Sequence, residues 1–304
     1  MHTKIGLLAL ACLCFGVFSA TFGNLAYNDR SRQADQYYVD ATTPESHRRE
    51  CNNLHKKGSA RVSCKSVNNP DSEKTDVFLW GDSFASAMVP GMTEMAELNN
   101  FNLEYSILAG CAAVLGMQHT DQNRNCLSGH LRVARHLAKT TPSLVLLISS
   151  YAHNVGGGLL RPTSAKRVVD NSNFVEEFST NIKLTIDKLR TNGAHVLVLT
   201  EPPRHHTDPV IEKIKSVMVG RSAFDKPMTF AEHQNRIATI YSIFDQSGID
   251  LRLDYSNFFC ESDQCITEMN GRSLYKDRAH ISNYASTLLA SKLITDIQSY
   301  GYLK

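Results

Sequence analysis

Neither sign of charge is in excess in this sequence: 32 Lys and Arg stand against 30 Asp and Glu, a formal net charge of +2. No basic run is longer than Arg48-Arg49 or Lys56-Lys57. That balance gives no polyanion groove, and a nucleic-acid partner is not expected. Metal-ligand spacing is missing as well. There is no CxxC and no HxxxH. The adjacent His205 and His206 would point in different directions from a surface loop, so neither a metal nor another cofactor is expected. Gly156-Gly157-Gly158 is followed by no GK[ST], which leaves a flexible loop rather than a phosphate cradle. Internal repeats and low-complexity tracts are absent. What remains is an ordinary globular balance, 42% hydrophobic and 20% charged, over 304 residues. That length suits one large α/β domain or two small ones.

The N-terminus carries the longest charge-free stretch, Ile5 to Phe22, preceded by Lys4 and followed only later by Asp29 and Arg30. Its length lies at the lower limit for a membrane-spanning helix, which needs roughly 17–25 residues. A signal peptide is the competing reading. The small-x-small cleavage pattern is poor, with Phe18 two positions before Ala20, so an uncleaved anchor is favoured. Lys4 would stay inside, which places everything after Tyr27 on the periplasmic or extracytoplasmic side. Both readings export the chain. The expected organisation is an anchor over 1–27, a polar stalk or lead-in over 28–75 punctuated by Pro44, Gly58 and Pro70, and an α/β domain over 76–304.

Cysteine usage agrees with export. Beyond Cys12 and Cys14, six cysteines fall as three local pairs: Cys51 with Cys64, Cys111 with Cys126, and Cys260 with Cys265. Other connectivities are open, and nearest-neighbour pairing is the working expectation. Disulfides in an oxidising compartment are favoured over thiolate ligands.

Short apolar runs then alternate with amphipathic ones. Val77 to Trp80, Leu103 to Leu108, Leu144 to Ile148, Val196 to Leu199 and Leu251 to Leu253 suit buried strands. Helical patterns lie between them. Phe84 to Leu98 has a kink expected at Pro90-Gly91. His130 to Ala138, Phe174 to Leu189, Phe230 to Phe244 and Ser282 to Ile297 follow. Strands apolar on both faces, each separated by a helix, predict a three-layer αβα domain with a doubly wound parallel sheet of about five strands. Ligands of such sheets sit at the carboxyl ends of the strands.

Two segments fall at such ends. In Trp80-Gly81-Asp82-Ser83-Phe84, a serine stands between a buried strand and a helix start, and Gly81 permits close backbone approach. Helix N–H groups beyond it favour negative charge at the hydroxyl, which suits a nucleophile whose carbonyl substrate becomes an oxyanion. The plainer alternative is a helix cap. In Asp277-Arg278-Ala279-His280, three-residue spacing on a tight turn lets the carboxylate orient the imidazole, leaving its other nitrogen for Ser83. Alone, that pair reads as a surface Asp/His pair.

Together the two blocks, in this order, resemble the SGNH (GDSL-like) hydrolase superfamily over roughly residues 75–300. The resemblance is greatest to the SGNH domains appended to membrane acyltransferases of the acyltransferase-three family, which O-acetylate surface polysaccharides. WGDSF, the Gly110-Cys111 pair, the Thr200 to Pro203 loop (TEPP) and the Cys260…Cys265 loop upstream of Leu274 to Ser282 carry it. The resemblance implies an SGNH/flavodoxin-like fold, Ser83 as nucleophile, His280 as base and then acid, and Asp277 as orienter. It also implies an oxyanion hole from the Ser83 and Gly110 backbone N–H groups. A third donor in many members is an Asn in a GxND block. Here the stretch reads Ser149-Ser150-Tyr151-Ala152-His153-Asn154, with Asn154 as the stand-in. Tyr151 and His153 could line a sugar subsite or an exposed loop.

The function so implied is acyl-ester chemistry through acyl-Ser83: O-acyl, expected O-acetyl, transfer to or removal from an envelope carbohydrate. A membrane acyl-donor protein would be the partner, and residues 5–22 would hold the chain to the membrane. The alternative is a non-catalytic carbohydrate-binding or scaffolding module, for which the missing GxND block speaks.

Overall fold

The structure, a computed structural model, describes residues 27–43, 62–68, 75–121, 124–156, 160–162, 171–220 and 227–303. The anchor expected over residues 5–22 and Cys51 lie outside the described residues. Among the described residues no helix is long and apolar enough to cross a membrane.

Six strands form the main sheet: β1 (Cys64–Val67), β2 (Asp76–Gly81), β3 (Asn102–Ile107), β4 (Leu144–Ile148), β5 (His195–Leu199) and β6 (Leu251–Leu253). Their order is β1-β3-β2-β4-β5-β6. All neighbours from β3 to β6 are parallel, and β1 is antiparallel at the edge. The five strands predicted from apolar runs are therefore the parallel part. The edge strand β1 comes from the segment read as polar lead-in. Its half-exposed sequence CKSV carries no buried-strand signal. A helical stretch over 27–42 from the same segment also packs on the domain. Asn283 Nδ2 donates to the Thr43 carbonyl at 3.2 Å, and the Lys213 ammonium lies 5.7 Å from the Tyr37 ring.

Alternation along the strands builds two cores, one on each face of the sheet. Val77, Leu79, Leu146, Ile148, Leu197 and Leu199 pack on one face with α1 (Ser83–Asn99) and the last long helix. Phe78, Trp80, Val145, Leu147, Val196 and Val198 pack on the other. There they meet α2 (Cys126–Thr140), α3 (Tyr151–Gly156) and α4 (Asn171–Thr191). The chain continues through α5 (Pro209–Val219), α6 (Phe230–Asp245), α7 (Ser256–Phe259) and α8 (Asn283–Ser299). Three layers, helix on sheet on helix, result. Helix α1 continues through Pro90. The neighbouring Gly91 N–H donates to Ser286 Oγ of α8 at 3.0 Å.

Register places the site. Ile107, Gly81, Ile148, Leu199 and Leu253 pair in one row across the C-terminal edge of the sheet. The loops that follow them therefore leave the sheet side by side. Strand order reverses at β2, with β3 on one side and β4 on the other, and such a switch point opens a crevice beyond the strand ends. Ser83 lies two residues beyond the end of β2.

Candidate active site

The turn after β2 has little freedom. A Cβ on Gly81 would lie 1.7 Å from the Ile148 carbonyl oxygen and 2.7 Å from the Ala85 Cβ, so only glycine fits. Asp82 is the N-cap of α1, and its Oδ1 accepts the Phe84 N–H at 2.9 Å. Its Oδ2 accepts from the Ser150 N–H and from Asn154 Nδ2, both at 3.1 Å. Burial raises the Asp82 carboxyl above its ordinary range, and these three N–H donors oppose that shift. One carboxylate thus fixes the end of β2 to the end of β4. Ser83, first residue of α1, is left to present its hydroxyl; the cap role considered for it belongs to Asp82.

His280 reaches that hydroxyl: its Nε2 lies 2.7 Å from Ser83 Oγ. On the other side of the ring, Nδ1 lies 2.7 Å from Asp277 Oδ2. The Phe84 ring covers the imidazole at 5.0 Å between centroids. Burial would raise the Asp277 carboxyl. The hydrogen bonds and charge of His280, with the Ala279 N–H, instead hold it well below the usual carboxylate range. Serine, imidazole and ionised carboxylate thus form the relay a hydroxyl needs to lose its proton.

The third loop carries Gly110. Leu108 N–H donates to the Gly81 carbonyl at 2.9 Å, which sets the turn after β3 against the turn after β2. Gly110 has φ +71°, and a Cβ there would lie 2.0 Å from Arg124 Nη1. That guanidinium donates to the Ala109 carbonyl at 2.7 Å. The Cys111–Cys126 disulfide ties the same turn to α2. The backbone N–H groups of Ser83 and Gly110 make no hydrogen bond among the described residues. The second expected disulfide, Cys260–Cys265, is present. Cys64 is disulfide-bonded, with its expected partner outside the described residues.

Other expectations fared differently. Asn154 is buried and spends an amide proton on Asp82. Tyr151 is no sugar contact: it is fully buried, 4.7 Å from the Phe244 ring and 6.4 Å from the Phe178 ring. Trp80 is core and donates Nε1–H to His130 Nδ1 at 3.2 Å; burial pushes His130 down to about 4, so it stays a neutral acceptor. His205 is also buried, edge-on to the Tyr275 ring at 4.6 Å, whereas His206 is exposed near Glu232. The sequence reading passed over Glu201, Arg204, Arg236 and Arg278. Glu201 is buried, its Oε1 accepting from Arg236 Nη2 and its Oε2 from the Ala152 N–H, each at 3.1 Å. Burial raises Glu201 to about 7, against the pull of Arg236 and Ala152. Arg204 and Glu201 follow β5 at its C-terminal end and could have been found by the strand-end rule. Arg236 sits at an ordinary helical position and gives no such signal.

The family model described as "SGNH domain (fused to AT3 domains)" matches residues 46–295. The chain belongs to this SGNH family. It is an SGNH-type enzyme, and its chemistry is of the acyl-ester kind. Among solved structures, the periplasmic domain of a lipopolysaccharide acetyltransferase from Salmonella ser. Paratyphi A is similar at 15% identity. The match covers 90% of this chain and 96% of that one, with a TM-score of 0.58. An acetyl xylan esterase matches at 16% identity over 73% of this chain and 98% of its own, TM-score 0.44. A GDSL-like lipase from Bacteroides thetaiotaomicron matches at 13% identity over 77% and 93%, TM-score 0.44. No curated protein matches.

Proposed function

We propose that this SGNH enzyme transfers an acyl group, acetyl in the first instance, through an ester on Ser83 to a hydroxyl of an envelope carbohydrate. The observation that supports it is the unbroken hydrogen-bonded chain from Asp277 through His280 to Ser83 Oγ, each link 2.7 Å. His280 Nε2 takes the Ser83 proton as Oγ attacks the acyl carbonyl. The resulting oxyanion meets the Ser83 and Gly110 N–H groups at the positive end of α1. Collapse breaks the bond to the donor, whose leaving atom receives the proton from His280. In the second half, His280 takes the proton of the acceptor hydroxyl, that oxygen attacks the acyl-Ser83 carbonyl, and Ser83 leaves and is reprotonated. Water in place of the acceptor gives an esterase. Asp277 stays ionised throughout and stabilises the imidazolium.

The family's association with AT3 domains favours an extracytoplasmic domain served by a membrane acyl-donor protein, with residues 5–22 as the anchor. The test is acetyl release from a chromogenic acetyl ester, with mass spectrometry of the Ser83 peptide. Acetylated Ser83 in the wild type, absent together with turnover in Ser83→Ala, is the expected result. Full turnover in Ser83→Ala would reject it. The rival, a binding module that has lost catalysis, is favoured by the absent GxND block and predicts no fluorophosphonate labelling of Ser83.

A further inference from the structure

Beside the relay the protein has gathered three arginines, of which, among the described residues, only Arg236 is hydrogen-bonded to a carboxylate, that of Glu201. Arg204 directly follows the Thr200 to Pro203 loop at the end of β5, and Arg278 stands between Asp277 and His280. The two loops are joined, because the His205 N–H donates to the Arg278 carbonyl at 2.8 Å. Arg236 reaches the same loop through Glu201, and Glu201 in turn holds α3, which carries His153. Half-buried His153 registers the cluster. Burial lowers its imidazole, and the charges of Arg204, Arg236 and Arg278 lower it further.

The counter-charges are already committed. Glu201 is buried and shared between Arg236 and the Ala152 N–H. Asp277 gives Oδ1 to the Ala279 and His280 N–H groups and Oδ2 to the His280 ring. Arg204 is half-buried and Arg278 exposed, and neither side chain makes a hydrogen bond or ion pair among the described residues. Glu201 and Asp277 act on Arg204 only through their charge, against its burial and the like charges of Arg278 and Arg236. A half-buried guanidinium with no anion in hydrogen-bond contact is costly, and a half-buried and an exposed fork on adjoining loops fit a planar or tetrahedral oxyanion group.

We propose that Arg204 and Arg278 bind a carboxylate or phosphate group on the acceptor carbohydrate, so that the glycan this site serves is acidic. Arg236, braced by Glu201, supports the field without contacting the ligand. The inference rests on the acyl-transfer reading for the word acceptor; the anion site itself stands on the arginines alone.

The test is calorimetric binding to full-length Ser83→Ala protein of three probes: trigalacturonate, a galactose phosphate and neutral galactotriose. At least one acidic probe is expected to bind about tenfold or more tightly than its neutral counterpart, less so in high salt. Arg204→Gln/Arg278→Gln should abolish the preference while melting like the parent, and the double Lys variant should restore part of it. Equal binding of acidic and neutral probes, no binding of any, or a preference that survives the Gln pair would overturn the proposal. Ester turnover by the wild type is read separately. Turnover without an acidic preference sinks only this inference; an acidic preference without Ser83 acylation sinks the acyl-transfer reading and leaves the anion site.

Discussion

Asp277 grips His280 from both ends of its carboxylate: Oδ1 accepts the His280 backbone N–H at 2.8 Å while Oδ2 faces the imidazole Nδ1 at 2.7 Å. The Ala279 N–H adds a second bond to Oδ1 at 2.8 Å, and the turn is closed by the Lys276 N–H on the His280 carbonyl at 2.9 Å. The backbone bonds set where the ring starts, and the side-chain bond sets which nitrogen carries the proton. Because an ionised carboxylate only accepts, Nδ1 must be the donor and Nε2 is left to receive the Ser83 proton.

Replacing Asp277 by Asn separates those two roles. Oδ1 can still hold the two backbone N–H groups, so the turn is kept, while the melting temperature should fall because the ionised carboxylate's contribution is lost. The amide NH2 facing Nδ1 favours the opposite tautomer, with the proton on Nε2 and none to accept there. Acylation of Ser83 should fall by about 10⁴-fold, the scale seen when a triad carboxylate is neutralised. Pre-steady-state release of the chromogenic leaving group measures it. A rate within tenfold of wild type would mean the carboxylate does not orient the base.

The disulfide beside Gly110, the second proposed oxyanion donor, makes a different prediction. Cys111 and Cys126 are 15 positions apart, and closing a loop of that size is worth about 3 kcal/mol in the chain-entropy account. Cys111 follows Gly110 directly, so the bridge also fixes the Gly110 N–H. The double variant Cys111→Ser/Cys126→Ser should lose roughly that stability in urea titration. Below its transition it should also acylate more slowly than wild type at unchanged Ser83–His280 geometry. Stability lost with the acylation rate intact would assign the bridge to the fold alone.

Why some of this was readable and some not follows from where each residue sits. Strands β2, β4 and β5 are buried on both faces, so their sequences are apolar throughout and stand out without any knowledge of neighbours. Ser83 is legible because it follows such a strand in a recognisable block, and His280 because another block precedes the final amphipathic helix. Strand β1 went unread because an antiparallel edge buries little, and its polar residues alternate only weakly. Helix α3 carries no apolar periodicity of its own; its polar letters conceal Tyr151 and Asn154, both buried by contacts from α4, α6 and Asp82. Strand order is not encoded locally at all. The meeting of Arg204, Arg236 and Arg278 depends on β5, α6 and the final loop converging, which no spacing within any one of them reveals.

Glu201 offers a test that reads stability rather than rate. In the unfolded chain its carboxyl titrates at about 4.3, whereas in the folded protein burial pushes it up to about 7. Between those values the folded state binds the proton more tightly than the unfolded state. The stabilising contribution is therefore full below the unfolded value and is lost as pH rises through about 7. Its total is on the order of a few kcal/mol. Asp277 works in the opposite sense in a lower window: its depressed carboxyl stabilises above the ordinary carboxylate range and loses that contribution as pH falls. Glu201→Gln keeps the shape and the acceptor for the Ala152 N–H but cannot titrate. Measured by urea unfolding across pH values from about 5 to 8, the stability of Glu201→Gln relative to wild type should rise with pH. A difference that is flat across that range, or that falls, would show that Glu201 is already ionised well below neutrality and that Arg236 outweighs its burial.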